Sequence, residues 1–188
     1  MLDIALEVAH DKWLPMLQYT SWMQYGIAAA YLVCAWMCVV SGSGSYQAGE
    51  KAGGWFLTSF VLVMMAIESI LKLNDLLVLL MRGYAHTGGW YGERRYWQTI
   101  VVAGVIALAI LIVLWLRKRQ QEDWHLAGNV VFGMSVLVVL ELMRNISLHH
   151  VDSFLNYNLG AGIRVERAFE FVGLALVFVG TRQWLRTR

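Results

Sequence analysis

Proline, cysteine and charge are all scarce in this chain. Of 188 residues, one is proline, two are cysteine and 15% are charged. Each shortage removes a class of explanation. Cys34 and Cys38 lie four apart in an apolar stretch, a spacing unlike that of zinc modules, and read most simply as small hydrophobes on neighbouring turns. A formal charge of +2 is too small to point to a nucleic-acid partner. The amino terminus from Met1 to Glu7 lacks a basic n-region, so no cleavable signal is expected there and the first spanning helix is expected to direct insertion.

Apolar residues are abundant instead. They make up 59% of the chain, with nine tryptophans, against about 45–50% in an ordinary soluble domain. Mean hydropathy is +0.54. Runs long enough for helices of about 20 apolar residues recur along nearly the whole length, which is the pattern of membrane spans. The expected fold is all-α, a single transmembrane helical bundle of about five spans over residues 16–188. The spans are expected near 16–40, 55–81, 96–116, 124–148 and 163–185. Residues 1–15, with Leu2, Ile4, Leu6 and Trp13 set against Asp3, Glu7, Asp11 and Lys12, predict a short amphipathic helix lying in the interface and stopped by Pro15. Ser41 to Ser45 reads as a flexible connection after the first span.

Lysines and arginines near the span ends divide equally between the two sides. One side, however, interleaves them with Asp75, Glu93, Glu141, Asp152, Glu166 and Glu170. The unaccompanied basic residues, Lys51, Arg117, Lys118, Arg119, Arg182, Arg186 and Arg188, therefore mark the cytoplasmic side. This places the amino terminus outside and the carboxyl terminus in the cytoplasm.

Charges inside apolar runs are the main functional signal, because each costs about 2.5–3.5 kcal/mol at the bilayer centre by insertion scales. On a continuous helix Glu68, Lys72, Asp75 and Arg82 fall within about 80° of arc. In the fourth span Glu141, Asn145, His149 and Asp152 share one face, with Arg144 beside them. In the fifth, Glu166, Glu170, Gly173, Val177 and Gly180 form one stripe whose glycines permit close backbone approach. Together these residues predict a polar chamber opening on the outer face, with Glu68, Lys72, Asp75, Arg82, Glu141, Arg144, Asp152, Glu166 and Glu170 as members.

Four roles fit such a chamber. Its charges pair to lock helix register, Lys72 with Glu68 or Asp75 and Arg144 with Glu141 or Glu170, in a non-enzymatic accessory or scaffold subunit. Alternatively, His149, Asp152 and Glu141 ligate a metal, as imidazole and carboxylates suit zinc, iron or manganese, in a membrane-embedded enzyme. A third role is binding or transport of an anion or lipid head group by Arg94, Arg95, Arg164 and Arg167, whose guanidinium forks match phosphate. The fourth moves protons or ions along Glu68, Lys72 and Asp75. No catalytic spacing decides between enzyme and non-enzyme, and no cofactor is specified. A two-haem arrangement is disfavoured because His125 stands alone at the inner end. The partners expected are the lipid bilayer and other membrane subunits or a second copy.

The segment from Arg144 through His149, His150 and Asp152 to Leu155, followed by Arg164 and Glu170, resembles small polytopic inner-membrane proteins of bacteria. The segment from Gly89 to Gln98 is similar to a second stretch in them. The resemblance covers the latter two-thirds of the chain and implies a bacterial inner membrane without implying an activity.

Overall fold

Among the described residues the long helices pack side by side, the second against the third and the fifth, and the fifth against the fourth. A computed structural model describes residues 2–77, 79–80, 114, 124–145, 155–158 and 164–187. The helices are α1 (Leu2–Gln18), α2 (Trp22–Gln47), α3 (Gly53–Leu71), α4 (Trp124–Asn145) and α5 (Val165–Arg186). Regular structure among the described residues is helical, apart from an isolated bridge between Asn158 and Arg164. Three helices, α2, α3 and α5, are long and apolar enough to cross a membrane, which is compatible with an integral membrane protein. The expected span at 96–116 lies outside the described residues, Leu114 excepted.

The first break in the chain differs from the sequence expectation. Helix α1 continues through Pro15 to Gln18, and α2 starts at Trp22. A helix spanning 16–40 without interruption is therefore incorrect. The cause is a capping box at Ser21: its Oγ accepts from the Met23 amide at 3.3 Å, while Gln24 Oε1 accepts from the Ser21 amide at 2.9 Å. Two of the amide groups that every helix start leaves unpaired are satisfied this way.

The second difference is the Ser-Gly-Ser-Gly-Ser segment, which is helical and belongs to α2. Glycine and serine are poor helix formers, but packing overrides that preference. Ser41, Gly42 and Ser45 are buried, and a Cβ placed on Gly42 would lie 3.0 Å from Trp55 Cβ. The small residues let the end of α2 meet the start of α3. The chain then turns at Gly49, whose φ of 76° suits glycine.

The third difference matters most for the charges. Helix α3 stops at Leu71, and Lys72 takes a left-handed conformation with φ 49° and ψ 46°; residues 73–77 are helical again. The expected continuous helix 55–81 is broken there. A non-glycine residue in this region costs about 1–2 kcal/mol, and local bonds offset it. Glu68 Oε2 accepts from the Leu73 amide at 2.9 Å. Lys72 Nζ donates to Met16 O at 2.6 Å and Trp13 Nε1 to Leu71 O at 2.9 Å. The last two bonds tie α1 to the end of α3.

Antiparallel packing of α4 and α5 is closer still. A Cβ on Gly133 would sit 2.7 Å from Gly173 O, and one on Gly180 would sit 2.8 Å from the Val130 amide nitrogen. Neither backbone has room to yield. Helix α5 also runs parallel to α2: Cys34 Sγ donates to Leu174 O at 3.7 Å, and Cys38 Sγ lies 3.9 Å from Thr181 Oγ1. Ile27, Leu62, Leu137 and Val177 are at most 1% exposed and form the centre of the core. Trp55 and Trp184 pack at 5.3 Å between ring centroids where α3 begins and α5 ends. Outward-facing Trp36, Phe60 and Phe132 are more than 60% exposed.

Gly133→Ala is expected to lower the unfolding temperature in detergent, at a cost of about 1–3 kcal/mol from overpacking. Gly26→Ala, where no atom lies within 4 Å of the added carbon, is expected to be neutral or to stabilise slightly. Equal melting temperatures for the two variants would contradict the close approach of α4 and α5.

Candidate functional site: a charged junction around Arg144

Arg144 lies in the last described turn of α4, one residue before its end at Asn145, and α5 begins on the same side of the bundle. This arrangement turns the Glu166–Glu170 face of α5 toward it. The guanidinium meets three carboxylates. Its Nη1 is 3.1 Å from Glu141 Oε2, and its Nη2 is 2.7 Å from Glu166 Oε1 and 2.9 Å from Glu170 Oε2. Planar guanidinium presents its donors in a fixed fork, so one arginine can serve several carboxylates where a lysine cannot hold the same geometry.

Glu170 is the most enclosed member, with 0% exposure. Each of its oxygens has a donor. Oε1 accepts from the Tyr31 hydroxyl of α2 at 3.0 Å, while Oε2 accepts from Arg144 and, at 2.7 Å, from Arg167 Nη1. Burying a carboxylate is tolerable only when it is paired and hydrogen-bonded in this manner. Glu141 carries the junction to the segment after the α3 break, accepting from Asn74 Nδ2. The connected groups thus come from α2, from the 73–77 segment, from α4 and from α5.

The remaining predicted members are distributed as follows. Glu68 is half-buried at the end of α3 and accepts from the Leu73 amide. It borders the junction through the same turn that carries Asn74. Lys72 does not bridge to Glu68 or Asp75 as the continuous-helix reading expects; its ammonium turns to Met16 O. Asp75 is exposed. The shared face of Glu68, Lys72 and Asp75 is lost because the left-handed residue resets the helical phase. Arg164 is exposed at the start of α5 and donates to Asn156 Oδ1 at 3.0 Å, away from the Arg144 contacts. Arg82, Arg94, Arg95, His149 and Asp152 lie outside the described residues.

Tyr31, Asn74 and Arg167 are members that the expected chamber leaves out; Arg167, expected to bind an anion or head group, donates to Glu170 instead. Tyr31 and Asn74 each had a signal. Tyr31 lies on a mild polar stripe of the first apolar run, with Thr20, Gln24 and Cys38. Asn74 interrupts the second run beside two charges. What was missing is the pairing of α2 with α5, which no local pattern encodes.

The contacts define the chemistry of the junction. The space between Glu141, Glu166 and Glu170, where three carboxylates converge, is filled by a guanidinium. Among the described residues no group of three or more His, Cys, Asp or Glu is arranged to hold a metal ion. Arg144 Nε is buried without a hydrogen-bond partner. Its two Nη atoms make all the ion-pair contacts recorded for the side chain. Cys34 and Cys38 are buried against α5 and lie along the core seam. No protein-family model, curated protein or solved structure matches the chain.

Two outcomes follow from these contacts. Arg144→Met leaves buried Glu170 short of one of its two cations and is expected to destabilise the fold by about 3–5 kcal/mol. Tyr31→Phe removes only one hydrogen bond to a charged group, for a loss of about 1.5–3 kcal/mol. Thermal unfolding in detergent should rank them in that order, and a near-native melt for Arg144→Met would remove the junction as a structural element. Separately, Lys72→Met is expected to raise amide hydrogen exchange across residues 8–18 several-fold while α2 and α5 stay protected. Unchanged exchange in that stretch would show that the bonds to α3 do not hold α1.

Proposed function

We propose that this chain is a non-enzymatic accessory or scaffold subunit of a membrane assembly, in a bacterial inner membrane, whose ionised interior serves to fix helix positions. The observation that supports this reading is the mutual pairing at the junction: Arg144 contacts three carboxylates through its Nη atoms, and the most buried of them also receives Arg167 and Tyr31. Groups engaged in this way are spent on one another. A site built for a substrate or ion keeps a donor set open toward it, whereas here the central position belongs to a side chain.

Exposed aromatic and aliphatic side chains on α2, α3, α4 and α5, including Trp36, Phe60, Phe132 and Phe171, supply the surface such a subunit would present to lipid and to other spans. In this reading the amino terminus lies outside, the carboxyl terminus faces the cytoplasm, and the remaining apolar runs complete the five-span bundle. The resemblance noted in the sequence agrees with the inner membrane as the compartment.

A second reading, a transporter or enzyme using the outer side, would draw on the carboxylates Glu141, Glu166 and Glu170 gathered at the junction, together with His149 and Asp152.

A single experiment separates the two. Variants of Arg144 and Glu141 are scored both for unfolding temperature in detergent and for rescue of a cell lacking the protein. The scaffold reading expects rescue to fall in step with stability. Full stability with lost rescue would overturn it in favour of chemistry at the junction, as would stoichiometric metal in the purified protein that disappears in His149→Ala.

A further inference from the structure

The opposite end of α5 presents basic groups in a different state. A shallow open cleft of about 200 Å³ lies on the outer face of this helix, its lining residues Phe178, Val179, Arg182, Gln183 and Arg186 all from α5. The ion pairs among the described residues include Arg144 and Arg167 but neither Arg182 nor Arg186. Both are exposed, and they stand one helical turn apart on one face, close enough for two guanidinium groups to converge on one anion. Gln183 is held from α4, its Oε1 accepting from Asn129 Nδ2 at 3.0 Å. That bond leaves Nε2 as a further donor in the cleft lining. One turn deeper, Phe178 and Val179 are 37% and 45% exposed and continue the cleft as an apolar track.

We infer that this cleft binds an anionic phospholipid, with the phosphodiester on Arg182 and Arg186 and an acyl chain along Phe178 and Val179. The arrangement matches the ligand in both halves: paired unneutralised cations where head groups lie, and exposed apolar side chains immediately on the hydrocarbon side. Basic clefts at the ends of membrane helices recognise head groups by this combination. The inference rests on α5 being a membrane span. It is separate from the junction around Arg144, which lies at the other end of the same helix and whose arginines are already neutralised. Charge alone would set orientation without choosing a lipid. The cleft and the Gln183 donor are what make a choice possible.

Native mass spectrometry of the full chain released from phosphatidylcholine nanodiscs doped with phosphatidylglycerol tests the inference. Retained phosphatidylglycerol is expected to exceed its bulk share by roughly ten- to thirty-fold, the effect of two arginines near an anionic surface. Arg182→Gln with Arg186→Gln should abolish the enrichment, and Arg182→Lys with Arg186→Lys should keep most of it. Inorganic phosphate at millimolar concentration should leave it intact, because phosphate lacks the chain that covers Phe178 and Val179; displacement by phosphate would replace the lipid with a free-anion site and overturn the proposal. Equal retention of the two lipids, or enrichment that survives the double glutamine variant, would also overturn it while the membrane reading stands. Failure of the chain to enter nanodiscs at all would overturn both.

Discussion

One guanidinium holds the described fold in register. Arg144 belongs to α4, but its carboxylate partners on α5 determine where it can sit, and Tyr31 of α2 completes the set through Glu170. In a low-dielectric interior an ionised group without a counter-charge is far more costly than a mispacked methyl group. Any displacement of α5 along α4 by one turn would strand Glu170 or Arg144, so sliding is strongly opposed. Shape enforces the same register independently. The glycine contacts of Gly133 with Gly173 and of Gly180 with Val130 fit only when the small residues face each other. Charge and shape therefore select one alignment, a consistency across levels that favours a single native state.

The two ends of α5 show how differently arginine is used within one helix. At its start, Arg167 donates to Glu170 one turn on and is half-buried. Toward its end, Arg182 and Arg186 are exposed along a cleft. Between them the helix carries no charge, and its inward face is small or apolar at Gly173, Leu174, Val177 and Gly180. The cation at its start sits beside a carboxylate, and those toward its end are exposed. The polar residue within that middle stretch, Thr181, satisfies its hydroxyl on Val177 O at 2.6 Å, the local solution available to a helical threonine.

Much of this architecture was legible in the amino-acid order. Apolar runs mark α2, α3 and α5 as long helices, and the Glu166–Gly180 stripe identifies the face of α5 turned to its neighbours. The reason is physical: helical periodicity is local, and a glycine stripe beside buried acid has few uses other than close packing. Breaks were harder to read. Lys72 is an ordinary helix former, and its left-handed backbone depends on partners far away in sequence, Trp13 and Met16, which no window around residue 72 contains. The Ser41–Ser45 segment misleads in the opposite direction, because serine and glycine indicate a loop until Trp55 is packed against them. Ser21 and Gln24, by contrast, form a readable cap that the unbroken apolar pattern obscured. Within the charged region, Glu141, Arg144, Glu166 and Glu170 were grouped in one chamber from their helix faces, whereas the contact of Tyr31 with Glu170 required the parallel seam between α2 and α5.

That seam has a consequence for biogenesis. Tyr31 and Glu170 are 139 residues apart, so ribosomal synthesis delivers α2 long before its partner exists. Until α5 is made, Glu141, three residues earlier on its own helix, is the one junction carboxylate within reach of Arg144. Only then do Glu166 and Glu170 reach the guanidinium and Tyr31 find its acceptor. The contacts that join α2 and α4 through the junction therefore all wait for α5, and a chain cut before α5 would lack every one of them.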